Sequence, residues 1–197
     1  MNQEVPPGLP DTRGVATLGP MANASDWPLD IHHALRAASV RQVSYVPDAG
    51  HSRLITLCHD DPTIVATVLT SEQEGIGLAC GAWLGGQRAA LLMQSSGVGN
   101  CVNAFSLLKT CGFPFLTVVT MRGQWGEFNP WQVPMGQATA ATFALAGFVV
   151  HPVEEADQVG PTVAAAAKLA FDSSVPVAVL LGQRLIGTKA FKASGKE

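Results

Sequence analysis

Six short runs of apolar or β-branched residues, Gln42 to Val46, Ile64 to Leu69, Ala89 to Gln94, Phe115 to Thr120, Phe148 to His151 and Val175 to Leu180, recur along the chain. They are apolar at consecutive rather than alternate positions, as in strands buried on both faces. Between them lie helical patterns at Leu29 to Ala38, Ser52 to Leu57, Glu72 to Leu84, Gly99 to Lys109, Ala138 to Ala146 and Ala156 to Phe171. Strands separated by helices are joined by crossovers, so the pattern predicts an α/β fold. The expected architecture is a doubly wound, mostly parallel six-stranded sheet with helices on both faces. There is no internal repeat, and 197 residues suit one domain with a full core. That domain should run from Trp27 to Gly187. Residues 1–26, rich in Pro, Gly and small polar residues, read as a flexible leader, and residues 188–197 as a flexible tail.

Composition removes several classes of function. A formal charge of −3 without Lys/Arg clusters gives no electrostatic reason to expect nucleic acid. No apolar run approaches the roughly 18 to 20 residues of a membrane-spanning helix. The amino-terminal stretch has neither a basic start nor an apolar core, so secretion is unsupported and a cytoplasmic protein is expected. Cys58, Cys80, Cys101 and Cys111 form no CxxC pair and read as free thiols in a reducing compartment. The five histidines show no metal-ligand spacing, so no metal site made by this chain alone is expected. Only 14% of residues are charged while 47% are hydrophobic, which suggests that another protein covers part of the surface.

In doubly wound sheets ligands gather beyond the carboxyl ends of the strands. Four segments should meet there: Pro47-Asp48-Ala49-Gly50-His51, Ser71-Glu72, the Ser95 to Asn100 turn SSGVGN, and Arg122-Gly123-Gln124-Trp125. Ser71 and Glu74 fit a capping box, which leaves Glu72 without an ordinary structural task. The helix behind it is built of Gly, Ala, Cys and Ile and needs closely packed neighbours to persist, so Glu72 stands at the mouth of something buried. SSGVGN lacks the Lys-Ser/Thr of a phosphate loop and a full GxGxxG, so it is a weak nucleotide motif and reads on its own as a tight strand-to-helix turn. The segment RGQWGEFNPWQVPMGQ is either a lid or a subunit contact, with Trp125 and Trp131 expected to be covered. No hydrolase elbow GxSxG is present.

YVPDAG, EQEGIGLACG, LLMQSSGVGN and VVTMRGQWGE, taken in order, resemble the pyrimidine-binding domain of thiamine diphosphate enzymes, in particular the sulfopyruvate and phosphonopyruvate decarboxylases. The resemblance covers about Trp27 to Gly187. It implies that Glu72, nine residues before Gly81, donates a hydrogen bond to N1′ of the cofactor's aminopyrimidine, so that the 4′-imine can take the C2 proton of the thiazolium. It also implies that Pro47 and the turn Ser95, Gly97 and Val98 line the pyrimidine. Gln94 would then face the substrate, and Arg122 would face its sulfonate, phosphonate or carboxylate, unless Arg122 is a salt bridge holding the lid. At Ala49 the sequence departs from the family, which has serine or an acid there. His51 is the candidate to compensate, with a surface histidine as the alternative.

The Gly-Asp-Gly sequence and downstream Asn pair by which such enzymes hold Mg²⁺ and diphosphate do not occur here. The resemblance therefore implies the alpha subunit of a split 2-oxo acid decarboxylase, inactive alone. A beta subunit would hold Mg²⁺ and the diphosphate, in a symmetric hetero-oligomer acting on a small anionic 2-oxo acid. The alternatives are a carboligase or lyase subunit with the same cofactor, and a non-catalytic scaffold subunit of the same fold.

Overall fold

The computed structural model describes residues 25–187. The expected tail lies outside them, as does the expected leader apart from its last two residues, Ser25 and Asp26. These two are engaged: Ser25 Oγ donates to Asp30 at 2.6 Å and Asp26 pairs with Arg53.

Six strands, β1 (Val40–Tyr45), β2 (Val65–Val68), β3 (Arg88–Gln94), β4 (Phe115–Thr120), β5 (Val149–Val153) and β6 (Pro176–Leu181), form one sheet in the order β2-β1-β3-β4-β6-β5. Every neighbouring pair is parallel, where a mostly parallel sheet was expected. The central strands are covered on both faces: Leu91, Leu92 and Met93 in β3, like Val118 and Val119 in β4, are fully buried at consecutive positions.

The helices are α1 (Trp27–Ala37), α2 (Ser52–Asp60), α3 (Glu72–Leu84), α4 (Ser95–Cys101), α5 (Phe105–Cys111), α6 (Val133–Leu145), α7 (Ala156–Ser173) and α8 (Gln183–Ile186). Ile31 and Leu35 of α1, Leu54 of α2 and Val163 of α7 pack in one core with Val43 and Val118. Ile76 of α3, Val98 of α4, Phe105 of α5 and Phe143 of α6 pack in a second core with Met93 and Val119. The sheet is thus wound on both sides.

Several boundaries differ from the sequence expectation for physical reasons. β5 runs through Pro152, which is tolerated because β5 is an edge strand. α6 starts at Val133, with Pro134 in the first turn where its missing N–H costs nothing. The helix expected from Gly99 starts at Ser95, directly after β3, and breaks at Val102 to Ala104 before resuming as α5. The capping box at α3 does not form. Ser71 makes no side-chain cap bond, and Glu74 instead accepts from Thr70 N at 3.0 Å.

Candidate active site

The carboxyl ends of β1, β3 and β4 and the start of α3 converge. Glu72 is the first residue of α3 and is buried, 7% exposed. Two glycines explain how a carboxylate can sit there. Gly75 lets α3 press onto the sheet, since a Cβ on it would come within 2.5 Å of Leu91 Cδ1. Gly97 leaves the seat itself: a Cβ there would stand 2.6 Å from Glu72 Cγ and closer still to its carboxylate. Asn100 Nδ2 donates to Glu72 Oε2 at 2.8 Å and fixes the carboxylate plane. Cys101 is buried beside this seat, and burial, then the Glu72 charge, push its thiol up to about 12, so it is no nucleophile.

A second carboxylate ties the strand ends together. Asp48 Oδ2 accepts from Gly50 N at 3.0 Å and from Thr120 Oγ1 at 2.7 Å, while Oδ1 accepts from Gln94 Nε2 at 2.8 Å. Ser96 Oγ donates to Gln94 Oε1 at 2.9 Å. Beside this network lies a cleft of about 290 Å³ lined by residues including Trp27, Asp48, Ala49, Arg53, Thr120 and Arg122.

Arg122 is held by Glu127 in a two-pronged ion pair, Nε to Oε2 at 2.6 Å and Nη2 to Oε1 at 2.5 Å. Glu127 also accepts from Gly123 N, Asn129 N and Gln183 Nε2. Gln183 Oε1 in turn accepts from the backbone N–H groups of Gln124 and Trp125. The start of the aromatic segment is therefore stitched to α8, and Arg122 performs the loop-holding role while lining the cleft. The Arg122 guanidinium, helped by the backbone donors, holds the Glu127 carboxyl at about 2, below its ordinary 4.5. A depressed carboxylate stabilises the fold fully above about pH 4.5, and this contribution fades as the pH falls through about 2. Glu127→Gln should therefore lower the thermal midpoint at neutral pH, with the deficit shrinking as the pH approaches 2. A deficit independent of pH would contradict this origin.

The structure brings together Glu72, Gly97 and Asn100, and separately Gln94, Arg122 and the Pro47 to Gly50 turn. Pro47 is exposed at the tip of that turn. Ser95 and Val98 are wholly buried: Ser95 Oγ accepts from Arg122 N at 3.1 Å, and Val98 belongs to the core. Their side chains support the turn from beneath. His51 is neither a surface histidine nor a wall of the cleft. It is fully buried, with Nε2 donating to Val118 O at 3.1 Å, and burial keeps its imidazole below the ordinary range and neutral. Trp125 and Trp131, expected to be covered, are 47% and 84% exposed in the single chain.

Sequence reasoning missed Asp48, Asn100 and Glu127. The Asp-x-Gly spacing at Asp48 signals an Asx turn. Nothing in local spacing marks the other two. Among the described residues, no group of three or more His, Cys, Asp or Glu is placed to hold a metal ion.

No family model matches the chain. It is 35% identical over 152 residues to the sulfopyruvate decarboxylase subunit alpha of Methanococcus maripaludis, covering 77% of this chain and 91% of that one. The corresponding subunit of Methanocaldococcus jannaschii is 32% identical over 153 residues, 77% of this chain and 90% of its own. The phosphonopyruvate decarboxylase of Streptomyces viridochromogenes is 35% identical over 112 residues, 56% of this chain but 28% of that longer one. Among solved structures, the 2-oxoglutarate:ferredoxin oxidoreductase of Magnetococcus marinus shares the fold, with a TM-score of 0.68 at 14% identity over 86% of this chain and 34% of that one. With a shared fold, and with two relatives above 30% identity matched along nine-tenths of their length, the chain belongs to the family of sulfopyruvate decarboxylase alpha subunits.

Proposed function

We propose that the chain is the alpha subunit of a split, thiamine diphosphate-dependent decarboxylase. Its substrate is a 2-oxo acid with a second anionic group, such as 3-sulfopyruvate or 3-phosphonopyruvate, and its products are an aldehyde and CO₂. The observation that carries this reading is the buried Glu72 carboxylate seated against Gly97 at the start of α3. The residues present fit the pyrimidine half of the cofactor, for which the buried Glu72 carboxyl, packed against the Gly97 turn, would be the polar partner. Thiamine diphosphate, when bound, supplies the electron sink for loss of CO₂.

The chain's own residues bind, orient and hold protons. Glu72 would hold the pyrimidine ring through its carboxyl oxygens and would supply the group that takes or gives a proton there, and Asn100 keeps that carboxyl from turning. Gln94 and Thr120 present polar groups at the strand ends, and Arg122 places a guanidinium on the cleft wall. Burial on α3 and β3 excludes water from the proton exchange. Mg²⁺ and the diphosphate fall to a beta subunit, and the two subunits form a symmetric hetero-oligomer with the site at their interface. Exposed apolar side chains support an interface, since Leu84 and Leu145 at the carboxyl ends of α3 and α6 are 77% and 87% exposed and Trp131, just before α6, is 84% exposed. The three buried free thiols accord with a reducing, cytoplasmic setting.

The test is reconstitution. The chain, copurified with a partner carrying Gly-Asp-Gly and a downstream Asn pair, is incubated with thiamine diphosphate, Mg²⁺ and 3-sulfopyruvate. CO₂ and sulfoacetaldehyde in equal amounts, only when both subunits are present, are expected. No CO₂ from the complex would refute the reading. The exposed methyl of Ala49 in the cleft, where the family resemblance implies serine or an acid, favours one second reading, carboligation. A ligated product with an added acceptor aldehyde identifies that outcome.

A further inference from the structure

We infer that Asp48, on the cleft wall, is a positioning residue that dictates the orientation of the neighbouring Gln94 amide; this rests on the reading of Gln94 as a substrate-facing group. An ionised carboxylate accepts and never donates. Asp48 therefore imposes one polarity on the three groups that donate to it: Gln94 must present Nε2, Thr120 must spend its hydroxyl proton inward, and Gly50 gives its backbone N–H. Ser96 completes the chain by donating to Gln94 Oε1, so the donors run in one direction from Ser96 through Gln94 to Asp48. By inventory, Gln94 keeps one further N–H whose direction is then set.

A capping role alone does not require this arrangement. The Asx turn needs only Oδ2 on Gly50 N. The Oδ1 bond reaches the end of β3, 46 residues away in sequence, and the Thr120 bond reaches the end of β4, 72 residues away. Gly50 sets the approach, because a Cβ on it would lie 2.8 Å from both Asp48 Oδ2 and Thr120 Cγ2. Asp48 thus joins three strand ends at the cleft where Ala49 supplies no polar group.

Asp48→Asn separates the two roles. Asn still accepts from Gly50 N and Thr120, so the turn is kept, but its amide meets the Gln94 amide donor to donor and Gln94 must reverse. In the assembled complex turning over 3-sulfopyruvate, kcat should fall by up to about 10²-fold with little change in KM or thermal midpoint. In a Gln94→Ala background the same substitution should add almost nothing, because Asp48 acts through Gln94. Full additivity, or an unchanged kcat, overturns the inference. The Gln94 side-chain amide resonances of the full chain read the orientation without turnover. They should shift on Asp48→Asn, and resonances that do not move also overturn the inference. If they move while the wild-type complex releases no CO₂, the positioning stands and the decarboxylase reading fails.

Discussion

Glu72→Gln should reduce CO₂ release by the assembled complex at least 10²-fold, toward the 10⁴-fold that positioned proton transfer contributes. The substitution keeps shape and volume, so the seat against Gly97 remains filled and α3 keeps its approach to β3. The bond from Asn100 is also recoverable, because the Asn100 amide can turn its oxygen toward the new side-chain N–H. What disappears is a group that can both hold and give up a proton. The loss should therefore lie in kcat, with thermal midpoint and subunit assembly close to wild type. The measurements are stopped-time CO₂ release, size-exclusion elution of the complex and a thermal melt on the same sample. A rate within a few-fold of wild type would remove Glu72 from the chemistry, whereas loss of assembly would show that the carboxylate serves the interface.

Most of the fold was legible because strands buried on both faces leave continuous apolar runs, as Phe115 to Thr120 shows with every residue buried. Where the reading stopped short, a local rule was overridden by position in the sheet: Pro152 ends a central strand but not an edge one. The burial of Glu72 was legible for a different reason, since a helix of Gly, Ala, Cys and Ile persists only against closely packed neighbours. Asp48 and Glu127 were not legible as site organisers. Their partners Thr120 and Gln183 lie 72 and 56 residues away, and no spacing pattern encodes a bond closed only by the crossovers. In the sequence His51 reads as the group that compensates for Ala49, with a surface histidine as the alternative. A backbone carbonyl 67 residues on, at Val118, draws it into the interior. The bare Trp131 is the converse case, a large apolar side chain that the single chain leaves exposed.

Gly97→Ala tests the same carboxylate without touching its chemistry, and it should be nearly as damaging to turnover as Glu72→Gln. The added methyl would occupy the space of the Glu72 carboxylate, standing 2.6 Å from Cγ and closer to Cδ and Oε1. Nothing flexible intervenes: Gly97 lies in the first turn of α4, with Val98 anchored in the core beside it. Either Glu72 swings out and loses Asn100, or α4 shifts and strains that core, at a typical overpacking cost of about 1–3 kcal/mol. Both routes remove the carboxyl from its place, so kcat should drop by about 10²-fold or more. The direct check is a double-mutant cycle on stability. Glu72→Ala removes the group that the new methyl strikes, so Gly97→Ala should cost much less stability in that background than in wild type, while activity stays lost in both. Equal stability costs in the two backgrounds would mean that the glycine serves the α4 backbone alone, and the seat assigned to Glu72 would have to be abandoned.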